Sequence, residues 1–164
     1  MDIPTILEHM DFSRARLLSI FAAIEKSGQD PNKVLAWRPG PGRAHIAWQL
    51  MHCAATHHRN VYVNFLGGKM KDESLFKDFG GGSTPSDQNV PSLEKIKQTL
   101  ESSYAEYRAY IAGLKPDDLK RMIGPADRQR SIGDSIVLYT WHEAHHQGQI
   151  HLTWNLYKAA HGIT

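Results

Sequence analysis

The segment His142-Glu143-Ala144-His145-His146 sets two imidazoles, His142 and His146, four positions apart. On a helix, residues at that spacing share a face, and two imidazoles there can grip one metal ion. As a string it is also the HExxH of zinc proteases, in which the glutamate is the general base. A protease needs a third ligand downstream, and its extended pattern asks for a glycine and a histidine at fixed offsets from the second ligand. Gly148 and His151 have those offsets from His145, one register away from His146. Taking His145 as the second ligand puts Trp141 in the first position, and no Asp or Glu follows Glu143. The protease reading therefore fails. Glu143 is expected instead to contact the back of the ligands or to form an ion pair with another helix.

The chain has ten histidines, gathered mainly around residues 45–58 and 142–151. At about 100° per residue, His142 and His146 lie about 40° apart on an inward face shared with Leu138, Gln149 and Thr153. His145 stands roughly 60° to the other side of His142, and His151 nearly opposite, so both are poorer candidates for the same ion. The third ligand is expected from the upstream group. His52 fits, because it lies in the run Ile46-Ala47-Trp48-Gln49-Leu50-Met51-His52-Cys53 among bundle-facing residues. His45 shares a similar face but sits about 10 Å along the axis, too far for the same ion. His57 and His58 point elsewhere; with His9, His151 and His161 they are read as surface or packing histidines. Cys53 is read as a small packed residue. Three neutral imidazoles leave a metal position open to water or substrate, as in a catalytic rather than a closed structural site. Gln149, one turn beyond His146, is placed to orient a bound ligand.

Helix-period apolar patterns supply the elements that must hold these residues. A first helix is expected from about Pro4 to Ser27, ended by Gly28 and Pro31. Trp37-Arg38-Pro39-Gly40-Pro41-Gly42 cannot be regular structure, and a second helix follows from about Arg43 to Phe65. Residues 67–90, with Gly80-Gly81-Gly82-Ser83 and Pro85, are too long for a tight turn and suit a crossover along a bundle. They lack the Gly-Lys-Ser/Thr of a phosphate-binding loop. The third helix starts near Pro91-Ser92 and runs through Ile111, bracketed by Gly113 and Pro116. The fourth begins near Ser131 or Asp134 and continues to about Ala160. No segment of alternating period stands out. The expected fold is all-α, a four-helix bundle in one domain over residues 1–164.

Composition excludes several classes. With 164 residues and one cysteine, Cys53, the chain supports neither a disulfide framework nor a cysteine-rich zinc module. It lacks a secretory signal pattern and an apolar run long enough to span a bilayer, so a cytoplasmic protein without a membrane partner is expected. The net charge of +2 is scattered rather than striped, which argues against nucleic acid as a partner. Trp48, Tyr104, Tyr107 and Tyr139 are read as core aromatics, with the walls of a substrate pocket as the alternative, and Trp141 and Trp154 as exposed ones able to form a dimer face.

A histidine in the second helix after a Trp-Arg-Pro-Gly-Pro-Gly lead-in, followed near the end by His-Glu-Ala-His-His-Gln-Gly-Gln-Ile, resembles the DinB/YfiT-like superfamily. The resemblance covers nearly the whole chain in segment order, and its specific part is His52 with residues His142 to Ile150. It implies a bundle with a long crossover between the second and third helices, often a homodimer. It also implies a divalent ion, zinc or nickel first, held by three histidines that map to His52, His142 and His146. Relatives of this kind include bacillithiol S-transferases and a mycothiol-dependent maleylpyruvate isomerase. The resemblance thus implies a transferase that uses a low-molecular-weight thiol as co-substrate on a small electrophilic molecule. The alternatives are a metal-dependent hydrolase and a non-catalytic metal-binding stress-response module.

Overall fold

The computed structural model describes residues 2–163, and the chain is all-α apart from one short strand pair. Four long helices form the bundle: α1 (Ile3–Lys26), α3 (Ile46–Arg59), α5 (Leu93–Ala112) and α6 (Ile132–His161). Two short helices, α2 (Pro31–Ala36) and α4 (Glu73–Phe79), lie in the connections. Strands β1 (Met122–Ile123) and β2 (Arg130–Ser131) pair antiparallel just before α6.

The starts of the helices follow from their caps. The side chains of Asp2, Asp30, Asp72, Ser92 and Ser131 each accept a backbone N–H of the first turn they precede. The second bundle helix begins at Ile46 rather than Arg43 because His45 is its cap: the ring Nδ1 accepts the Trp48 N–H at 2.9 Å. That helix reaches Phe65 as expected, but its last turn, Asn60–Phe65, widens to π geometry. Gly162, at φ 64°, ends α6 in the left-handed conformation. Helices α2 and α4 and the strand pair are additions to the sequence expectation. Each is too short for a period to register, although Asp72 followed by Leu75, Phe76 and Phe79 and closed by Gly80 carries a cap, a face and a stop.

In the bundle, α1 packs on α5 and α6, and α3 packs on the same two helices from the other side. Contacts set their directions. Asp11 meets Arg108 while Lys97 covers Phe21, so α1 and α5 run antiparallel. His57 meets Tyr104 and Phe65 meets Tyr110, so α3 and α5 are parallel neighbours. A parallel pair needs a connection that returns the length of the bundle, which is the work of residues 66–92 with α4 inside them. Arg38 fastens this crossover to the 37–43 turn: it pairs with Asp87 and donates to the Pro85 carbonyl at 2.6 Å.

The buried apolar residues fall into two clusters. One holds Leu17, Ile24, Leu50, Leu100, Ile150 and Trp154, and the other Met10, Phe65, Tyr107, Ile111, Ile132 and Ile136. Between them, each bundle helix contributes a buried polar residue: Arg14, His57, Ser103 and Glu143. Trp154 is 4 % exposed and belongs to the core, which corrects its reading as a surface aromatic; Trp141 is 58 % exposed. Among the described residues, no helix is long and apolar enough to cross a membrane.

Candidate metal centre

His52, His142 and His146 meet where α3 faces α6. His52 Nε2 lies 3.1 Å from His142 Nε2, and one ring nitrogen of each histidine falls within 4.8 Å of the others. Two nitrogens bound to one tetrahedral zinc at about 2.0–2.1 Å stand roughly 3.3 Å apart. The His52–His142 pair is near that spacing, and the set as a whole is somewhat wider.

The orientation of His52 is set from behind. Its Nδ1 lies 2.6 Å from the Phe79 carbonyl at the end of α4. A carbonyl only accepts, so Nδ1 carries the hydrogen and Nε2 presents its lone pair to the site. Metal-bound imidazoles are typically held by such a contact on the other ring nitrogen. The indole of Trp48 stacks on the face of the same ring, centroids 4.7 Å apart. His146 Nδ1 is buried with no hydrogen-bond partner among the described residues. A buried imidazole nitrogen without a partner is costly for a fold unless a ligand completes it.

All three rings are held neutral. Burial is the main cause of each lowered pKa, bringing His142 to about 4 and His146 to about 3, with repulsion from neighbouring imidazoles adding to it; His52 is lowered as well. At neutral pH these lone pairs are free of protons. Donor type, spacing, the support behind His52 and the orphaned His146 nitrogen together fit a divalent ion.

Glu143 is turned away from this set. Its carboxylate lies 3.0 Å from Arg14 Nε and 3.2 Å from His57 Nε2, with Arg14 6 % and Glu143 and His57 each 3 % exposed. Arg14 Nη2 approaches His57 Nδ1 at 3.0 Å. Arginine only donates, so His57 is the neutral tautomer that accepts at Nδ1 and donates from Nε2 to Glu143. The Arg14 Nε contact is an ion pair by distance without the alignment of a hydrogen bond. Burial opposes ionisation of Glu143, but the His57 hydrogen bond and the Arg14 charge outweigh it and lower the carboxyl's pKa. The ion-pair reading of Glu143 holds, and its partners are Arg14 and His57. Sequence reasoning missed Arg14; its signal was a charge on the buried row between Met10 and Leu17.

The other histidines separate from the site. His45 caps α3 and sits against the Ser86 carbonyl, His9 and His151 are exposed, and His145 stacks on Trp141. Gln149 is exposed, its amide 2.8 Å from His145 Nε2. Tyr107 is a core residue as expected, whereas Trp48 is half-buried against His52. Cys53 is fully buried, and burial pushes its thiol far up, so it is neither nucleophile nor ligand.

Comparison with known proteins agrees with this architecture. A protein from Oceanobacillus iheyensis named "Putative metal-dependent hydrolase" is 26 % identical over 105 residues, which is 62 % of this chain and 60 % of that relative. The matched stretch thus spans less than two thirds of the relative's length. The crystal structure of a conserved protein from Enterococcus faecalis superposes with a TM-score of 0.73 over 93 % of this chain and 95 % of that one, at 16 % identity, and so shares its fold. Residues 9–150, which carry all three converging histidines, match the sequence profile of the DinB superfamily, and the chain belongs to that family.

Proposed function

We propose that His52, His142 and His146 hold one divalent ion, zinc or nickel, and that the protein transfers a low-molecular-weight thiol to a small electrophile. The observation that carries the proposal is the convergence of three neutral imidazoles, one of them locked by the Phe79 carbonyl. Such an ion supplies Lewis acidity, lowering the pKa of a protic molecule that takes the open position so that it reacts as a nucleophile at neutral pH. The protein's part is to keep the imidazoles unprotonated, to fix the His52 tautomer and to stack Trp48 over that ring. In the reaction a sulfur–carbon bond forms, the thiol proton passes to solvent, and the electrophile's leaving group departs with its electron pair. Thiol transfer suits this site because its nearest buried carboxylate, Glu143, is occupied by Arg14 and His57 and cannot act as a general base beside the histidines.

Hydrolysis is the second reading, favoured by the name of the Oceanobacillus relative. One assay separates the two. Protein loaded with zinc or nickel is supplied with an activated aryl halide and with an activated ester, each with and without cysteine or glutathione. Thiol-dependent loss of the halide is the expected result; ester turnover without thiol would establish hydrolysis instead. Elemental analysis tests the ligand set, with His52→Ala and His146→Ala expected to lose the ion. Full occupancy in both variants would overturn the assignment.

A further inference from the structure

A cavity of about 700 Å³ opens about one helical turn from His52 and His146, between the first turns of α3, the C-terminal half of α6 and the 39–44 turn. Its size lies within the range of small-molecule sites, about 300–1,000 Å³. Pro39, Pro41, Leu152 and Leu156 form its apolar walls, and the two leucines are 59 % and 42 % exposed. Gln49 also lines it, is 3 % exposed overall, and its side-chain oxygen is buried with no hydrogen-bond partner among the described residues. The other polar side chains of the lining are engaged or exposed: the Thr153 hydroxyl donates to the Gln149 carbonyl at 2.9 Å, the exposed Gln149 amide is held by His145, and Arg43 is exposed on the 39–44 turn. Gln49 therefore retains hydrogen-bonding capacity at the apolar walls of this cavity. The fold would be better served there by a methionine or leucine, since a buried polar group without a partner destabilises.

We propose that this cavity binds the body of a small neutral substrate carrying an amide group, and that Gln49 anchors that amide. A carboxamide presents an acceptor and a donor side by side, and another amide answers both in either orientation. A carboxylate would set oxygen against oxygen. Gln49 precedes His52 by three residues, about 4.5 Å along α3, and Gln149 and Thr153 follow His146 along α6, so a molecule anchored at Gln49 extends towards the histidines. The assignment of this molecule as substrate rests on the metal-centre reading; binding at the cavity does not.

The test is a titration of the full-length, zinc-loaded, ¹⁵N-labelled protein with benzamide, read at the side-chain NH₂ signals of Gln49. Those signals are assigned by their absence in Gln49→Met. Benzamide is expected to shift them and to bind more tightly than benzoate. Gln49→Met is expected to weaken binding about tenfold, because a site built to hydrogen-bond its ligand loses heavily without that bond. Its melting temperature should be unchanged or higher, which a merely structural glutamine would not allow. Leu156→Ser, on the exposed wall, supplies a variant whose folding is not at issue and should also weaken binding. No shift with benzamide, unchanged affinity in both variants, tighter binding of benzoate, or a lowered melting temperature in Gln49→Met would each overturn the proposal. Repeating the titration on chelated protein should leave the Gln49 response in place, so that failure here is distinguishable from loss of the metal centre, which elemental analysis reads.

Discussion

Glu143 stands between two buried partners, and their removal has unequal consequences. Breaking a buried ion pair from one side leaves an uncompensated charge and costs about 3–5 kcal/mol. Arg14→Met is expected to destabilise by that order, read as the midpoint of urea unfolding. Arg14→Met combined with Glu143→Leu should recover most of the loss, because no charge is then left alone. A single variant as stable as the wild type would refute this. The histidines give a second prediction. Their pKa values are depressed, so above pH about 6.5 they are neutral in both folded and unfolded chains and contribute nothing to the pH dependence. Below that, the unfolded chain takes up protons that the folded chain refuses, and stability must fall with pH. The window runs from about 6.5 through the values near 4 for His142 and 3 for His146. Glu143 adds its own loss at the acid end, since its lowered pKa stabilises only while it stays ionised. Thermal melts of chelated protein should decline steadily from pH 7 to 4, and a flat profile would contradict the buried, neutral assignment.

At the scale of elements, the short helix α4 governs a ligand it does not carry. Its terminal Phe79 carbonyl holds the His52 ring, and Gly80 ends the helix at a φ of −73°, so glycine is needed there for space rather than for conformation. A Cβ at Gly80 would run into the Phe76 ring and carbonyl. Gly80→Ala is expected to displace the Phe79 carbonyl and weaken metal affinity about tenfold or more, as measured by competition with a chromophoric chelator. Unchanged affinity would show that His52 is oriented without it. This helix also marks where sequence reading stops. The four long helices, the crossover and the candidate trio were legible because helical period ties together residues on the same face. The Phe79 carbonyl was not, because every residue carries a carbonyl and only the folded crossover shows which one meets His52. Arg14 and Gln49 were hidden similarly: each sits on an apolar face, and only the assembled bundle shows whether a partner waits opposite.

The molecule as a whole carries its candidate metal centre where α3 faces α6, and its two apolar clusters include none of the three histidines. Chelated protein should therefore stay folded, with helical circular dichroism retained, and added metal should raise the melting temperature by mass action, about 2.7 kcal/mol at a hundredfold excess over Kd. Unfolding in step with metal removal would make the ion a structural element instead. The polar layer between those clusters has a further mechanical consequence. Apolar helices interdigitate almost as well after sliding past one another by one turn, about 5.4 Å. Here such a slip of α6 would drive Glu143 into aliphatic neighbours and strand Arg14 and His57, so these three polar side chains act as a key in a shaft. Side chains on either side can be repacked while the key keeps α1, α3 and α6 in step, and the alignment that holds His52 opposite His142 is inherited from it.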